Sequence, residues 1–357
     1  MGDHGWRDHR DPLRPGGGGT ALVSARGAPP GGGLTNVADL LAAGGPRLAA
    51  LLERSEARLT EVAAGHGDRL AEHAAGTLAA GGKRLRPTLV FIVAGESVST
   101  ELVEAAVAVE LLHMATLVHD DVLDRAALRR GRPTVYASGG RSAATATGDL
   151  LFSRAFAVLA GAGSAVAVRA LSDASSALAR GELMQREDAW SSVVTAERYL
   201  ERCRLKTARL FEAACRLGAL LGDPGAGAAD ALGAYGDRIG LAFQIFDDVL
   251  DVSGPQERTG KERGTDLLDG TVTLPLILAR ERDPRLRDLD LRSEVTDAAQ
   301  AIALCDEIGA TGVLDDAREA ALRHVAGAKA ELDRVELPSE QRALLELVAD
   351  GVVERYA

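Results

Sequence analysis

Apolar residues return every three or four positions along most of this chain, the spacing of one helical face, and no long Val/Ile/Thr alternation interrupts them. The stretch LVEAAVAVELLHMATLVHDDVLD, Leu102–Asp124, is apolar on nearly every side and is predicted to be a long central helix. Further helices are predicted over Thr145–Ala160, Ala196–Gly222, Ala228–Asp251 and from Thr273 through Asp283. Gly222, Asp223 and Pro224 stop the third of these five, and Gly254 and Pro255 stop the fourth. From about Ser293 charged and apolar helical faces alternate. The pattern predicts an all-α fold: one large helical bundle around a central apolar cavity.

Two helix ends break the apolar pattern in the same way. DDVLD closes the first predicted helix (Asp120, Asp121, Asp124) and recurs at Asp247, Asp248 and Asp251. Residues four apart share a helical face, so Asp120 pairs with Asp124 and Asp247 with Asp251. Two carboxylates about 6 Å apart repel by roughly 3 kcal/mol at an effective dielectric near 20. A solvated helix end explains one such motif; two copies behind apolar turns point to hard divalent cations, with Mg2+ bridging carboxylates and phosphate oxygens. The candidate metal ligands are Asp120, Asp124, Asp247 and Asp251. Basic groups suited to a diphosphate lie in GGKRLRP (Gly81–Pro87), in Arg129-Arg130-Gly131, expected about one helical turn past the first motif, and at Lys206-Thr207 in mid-helix. Each alone reads as plain solubilising charge.

Composition adds boundaries. The chain has 357 residues, 46% of them apolar and 3% aromatic, with a net charge of −11. Such an acidic surface argues against a nucleic-acid partner. Residues 1–34 hold ten Gly and four Pro, so residues 1–36 are expected to be a disordered tail and 37–357 the folded domain. Cys203, Cys215 and Cys305 form neither a zinc pattern nor a disulfide framework, so a cytoplasmic setting is expected. Unbroken apolar runs fall short of the ~20 residues of a membrane span, and the N-terminus lacks the apolar core of a signal peptide.

With these motifs the chain resembles the trans-type isoprenyl diphosphate synthases over about residues 45–357. DDVLDRAALRRG fits that family's first aspartate-rich motif and FQIFDDVLD the second; GGKRLRP, GDLLFSRA, GELMQ, KTARLF and GKERGTDLLDGTVTLP follow in the family's order. The resemblance implies an isoprenoid-synthase bundle, usually a homodimer, that condenses isopentenyl diphosphate with an allylic diphosphate using several Mg2+ ions. It implies that Lys83, Arg86, His113 and Arg130 hold isopentenyl diphosphate, and that Arg129, Lys206, Thr207, Gln244 and Lys261 contact the allylic diphosphate. Asp120, Asp121, Asp124, Lys206, Asp247 and Asp248 then carry catalysis, and the released diphosphate is the base for the final proton. One departure stands out: Thr271 occupies the place of a lysine in the family's GKxTLP, removing a cation from the allylic site.

Product length is expected to follow the face of the first long helix below Asp120. There Ala115, Thr116 and Ala108 are small, and Leu111 and Leu112 are not aromatic plugs, which favours products longer than C20, in the range C30–C50. Phe152 or Phe156 offers a deeper floor, with ordinary core packing as the alternative. The competing readings are a shorter-chain geranylgeranyl- or farnesyl-type synthase, a non-catalytic subunit of a heteromeric synthase, a class I terpene cyclase, and an HD-type phosphohydrolase built on His119-Asp120. Intact acidic and basic motifs argue against the subunit. The second DDVLD and GGKRLRP argue against the cyclase. The other histidines lack the register that the phosphohydrolase needs.

Overall fold

A computed structural model describes residues 37–254 and 263–354. The Gly/Pro-rich tail expected over 1–36 lies outside the described residues. The first half of the fold comprises α1 (Val37–Ala64), α2 (Asp68–Ala79), α3 (Leu85–Val93), α4 (Thr100–Leu123), a hairpin of β1 (Leu128–Arg129) and β2 (Arg132–Pro133), α5 (Val135–Gly161) and α6 (Ala165–Asp188). After α7 (Ala196–Cys203) a π-helical turn, Arg204–Ala208, leads directly into α8 (Arg209–Leu221) and then α9 (Ala229–Ser253). Short helices α10 (Thr265–Leu268), α11 (Leu274–Arg282), α12 (Pro284–Arg287) and α13 (Leu291–Glu294) precede α14 (Ala298–Ala310), α15 (Val313–Leu332) and α16 (Ser339–Glu354). The two-residue strands are the only sheet among the described residues, so the all-α expectation holds.

Hydroxyl caps start the central helices. Ser99, Thr134, Ser164 and Thr195 each accept a hydrogen bond from the backbone amide three residues on, opening α4, α5, α6 and α7. In α4 the buried positions run round the whole circumference, because α1, α3, α5 and α8 all pack against it. On the other side α9 packs between α8 and α15. Tyr199, Tyr235, Phe91 and Phe211 are the largest fully buried side chains. All three cysteines are free and buried.

The structure corrects three expectations. Thr100–Leu123 is long and apolar enough to cross a bilayer, although no unbroken apolar run suggested it; 72% of its apolar 18-residue stretch is buried, and it ends on acids, as befits a core helix. The helix expected from Thr145 begins at Val135 and bends at Gly140, whose φ of 77° breaks the α-helical path. Arg129 and Arg130 do not continue a helical turn but sit on the hairpin. Its two-residue loop, Arg130-Gly131, places both residues at positive φ (52° and 74°), the geometry that matches the twist of paired strands.

Candidate active site

Three carboxylates crowd the C-terminal end of α4, where the helix dipole already disfavours negative charge and no basic residue occupies the last turn. Cations from elsewhere in the chain offset the cost. Asp121 is buried and accepts from Arg129 Nε at 2.8 Å. Asp124 accepts from Arg186 Nη2 at 2.6 Å. The Asp120 carboxylate makes no hydrogen bond among the described residues; burial pushes it up to about 6, opposed by Lys206 and reinforced by Glu182 and Asp124.

Lys206 and Thr207 lie in the π turn, whose wider coil inserts one residue into the α7–α8 run. A Cβ on Gly181 would come within 2.5 Å of the Lys206 backbone nitrogen, so this glycine is what lets α6 close on the turn. There Lys206 Nζ donates to Glu182 at 2.5 Å. Thr207 Oγ1 donates to Gln244 Oε1 at 2.8 Å, and Gln244 Nε2 donates to Asp248 Oδ1 at 2.8 Å. Tyr199 Oη donates to the other oxygen of Asp248 at 2.6 Å. Burial pushes the Asp248 carboxyl up, and these two donors pull against it.

The sequence-predicted cation set converges as a pocket. Lys83, Arg86, His113 and Arg130 line one cavity of about 570 Å³ with Phe243 and Asp247. Arg86 stacks over the Phe211 ring, 4.5 Å from its centre, and its Nε is buried with no hydrogen-bond partner. Burial lowers this guanidinium to about 10. His113 is held well below the ordinary imidazole range by burial and then by Arg86, Arg130, Arg129 and Arg84. Four guanidiniums around a neutral imidazole make a field suited to a polyanion. The hairpin delivers Arg130, and Gly82 admits it: a Cβ there would stand 3.1 Å from Arg130 Nη1. A larger cavity, about 1130 Å³, shares Glu110, His113, Leu117 and Arg130 with this pocket and runs on past Met114 and Val118.

Asp121 of the first motif borders the larger cavity and Asp247 of the second borders the smaller, and the two cavities share His113 and Arg130. His113 lies two turns before Asp120 on α4 and shares a cavity with Asp247 of α9. Among the described residues no three carboxylate, imidazole or thiol groups are gathered as a ready metal-ligand set. Carboxylates lean instead on Arg129, Arg186 and Lys206 as stand-in counter-charges, and a set of hard oxygen donors so balanced fits hard divalent cations.

The remaining expected residues take various places. Asp251 Oδ2 accepts from the Asp266 amide at 3.2 Å, tying α9 to α10. Lys261 lies outside the described residues. Ala108, Leu111, Leu112 and Ala115 are buried in the core and line neither of these two cavities. Thr116 Oγ1 donates to the His113 carbonyl at 2.7 Å. Phe152 is 36% exposed and packs on Phe156, with ring centres 5.3 Å apart. The Thr271 amide donates to the Asp266 carbonyl at 2.7 Å, and Arg202 binds the next carbonyl, that of Val272, at 2.5 Å. Sequence reasoning missed Glu182, Arg186 and Tyr199. Glu182 stood in the GELMQ motif without a role, and Tyr199 lies seven residues before Lys206, two turns up the same helical run.

Known proteins of one family match this chain in sequence and in fold. A family profile described as Polyprenyl synthetase matches residues 68–306. The chain is 38% identical to the geranylgeranyl diphosphate synthase of Methanosarcina mazei over 286 residues, covering 77% of this chain and 86% of that one. It is 38% identical to heptaprenyl diphosphate synthase component 2 of Geobacillus stearothermophilus over 278 residues, covering 77% and 87%. Among solved structures, a decaprenyl diphosphate synthase from Rhodobacter capsulatus matches with a TM-score of 0.82 and 33% identity over 90% of this chain and 99% of that one. A polyprenyl synthase from Caulobacter crescentus complexed with calcium and isoprenyl diphosphate matches with a TM-score of 0.81 and 34% identity, covering 92% and 100%. On sequence, fold and motif order together, the chain belongs to the polyprenyl synthetase family and is a prenyltransferase of the trans type.

Proposed function

We propose that this chain condenses isopentenyl diphosphate with an allylic diphosphate, using Mg2+, to make an all-trans polyprenyl diphosphate longer than C20, in the range C30–C50. The observation that carries the reading is the pocket in which Arg86, with a buried and unbonded Nε, stands with His113, Arg130 and Asp247. A buried guanidinium nitrogen without a partner is costly unless an anion completes it. In this reading Lys83, Arg86, His113 and Arg130 bind the diphosphate of isopentenyl diphosphate. Arg129, Lys206 and Thr207 orient the allylic diphosphate, with Lys261 as a further contact from the resemblance. Asp120, Asp124, Asp247 and Asp251 hold the divalent ions. Bound Mg2+ supplies neutralisation of the leaving diphosphate. The residues do the rest: Gln244 keeps Thr207 and Asp248 in register, and the apolar walls keep water from the allylic cation.

The product range rests on α4, whose residues from Thr100 to Leu123 include no Phe, Tyr or Trp to close the space below the acids. Purified chain incubated with Mg2+, isopentenyl diphosphate and each allylic primer in turn should yield products beyond C20 on reversed-phase chromatography. Products of C20 or shorter would reject the length while keeping the reaction. A second reading draws on the component-2 name of the Geobacillus relative: this chain as one member of a two-protein enzyme. The same incubation separates the two, since a chain that needs a partner forms no product alone.

A further inference from the structure

We infer that Arg186 is a built-in counter-ion of the first acidic motif and sets how tightly Asp124 takes a divalent cation. The inference rests on reading Asp120 and Asp124 as cation ligands, as proposed above. Arg186 lies in the last turn of α6, one turn beyond Glu182. Its Nη2 donates to Asp124 Oδ1 at 2.6 Å while its Nε donates to Glu182 Oε1 at 2.8 Å. Glu182 turns its second oxygen to Lys206 Nζ at 2.5 Å. Asp124, Arg186, Glu182 and Lys206 thus form an alternating row of charges that sums to zero and joins α4, α6 and the π turn.

The two outer acids of the motif consequently differ. The Asp120 carboxylate makes no hydrogen bond among the described residues, and a cation reaching it displaces no donor. At Asp124 one carboxylate oxygen is already held by a charge-assisted hydrogen bond, and an ion that uses this oxygen must displace the guanidinium. Displacement leaves Arg186 with a partner, because its bond to Glu182 lies within one helix at i, i+4. The side chain therefore acts as a reversible latch. The Asp124–Arg186 pair is 41% exposed on each side, so solvent screens it, and ion pairs of this kind shift an equilibrium by about two- to fivefold.

The test titrates Mn2+ into the full-length chain and reads the free ion by electron paramagnetic resonance. Arg186→Gln, which keeps a helix-favouring residue on a half-exposed face, should bind Mn2+ about two- to fivefold more tightly than the parent. Asp124→Asn should weaken binding, and the double variant should bind no more tightly than Asp124→Asn alone. Unchanged or weaker binding by Arg186→Gln, with Asp124→Asn still weakened, overturns the latch and leaves Asp124 as a ligand. No effect of Asp124→Asn overturns the ligand reading and the latch with it. A purely structural role for Arg186 would move the melting temperature without tightening Mn2+ binding.

Discussion

Asp120 shows how burial and chemistry pull against each other at a single side chain. Its carboxyl is raised to about 6 chiefly by burial. Between about pH 4, where the unfolded group ionises, and pH 6, the folded chain holds the extra proton, so this group's contribution to stability falls as pH rises through that window. A cation needs the ionised form and competes with the proton. The acid limb of kcat/KM should therefore lie near pH 6 and move to lower pH as Mg2+ is raised; pH–rate profiles at two metal concentrations check this, and a limb indifferent to metal assigns the titration elsewhere. Thr271 poses the complementary question, a charge missing rather than masked. Thr271→Lys should lower the KM for the allylic substrate by up to about tenfold, the low end of a charge-assisted contact. Steady-state kinetics with an unchanged or higher KM would reject this.

At the scale of elements, the close approach of α6 to the π turn is the sharpest constraint. Gly181→Ala puts a methyl 2.5 Å from a backbone nitrogen that cannot swing aside. Overpacking of this kind costs about 1–3 kcal/mol. The variant should melt at a lower temperature and lose affinity for the allylic substrate while keeping its KM for isopentenyl diphosphate, whose proposed pocket is lined from α4, α9 and the segment leading into α3. Equal loss at both substrates would mean a general collapse. Sequence periodicity located α4, α9 and α11 to within a few residues, because their apolar faces repeat. It read Ala196–Gly222 as one uniform helix, since a single inserted residue leaves the apolar spacing almost unchanged. It also missed the hairpin, whose signal is only the positive-φ pair Arg130-Gly131 with no alternating strands around it.

For the molecule as a whole, the repeated DDVLD pointed to two acidic helix ends, and the basic motifs named residues that line one cavity. What joins them was not legible. Arg186 reaches Asp124 across 62 positions and Tyr199 reaches Asp248 across 49, and no local pattern encodes pairings at such separations. Product length belongs to this scale too, because it depends on interior volume shared by several helices. Ala115 is fully buried on α4 beneath Asp120, and Ala115→Phe should shorten the product by at least one isoprene unit on chromatography. An unchanged length would place the limit on another face, such as that of Met114 and Val118, which borders the larger cavity.

The all-round apolarity of α4 has a consequence during synthesis. Its covers α1 and α3 leave the ribosome before or with it and α5 follows at once, but α8 emerges only after residue 209. Until then the nascent chain displays a segment as greasy as a membrane span with one flank bare, the kind of surface that chaperones and lipid bilayers capture. Fragments ending before Arg209 should therefore be sticky, and the long middle of this gene should tolerate premature termination far worse than its last helices do.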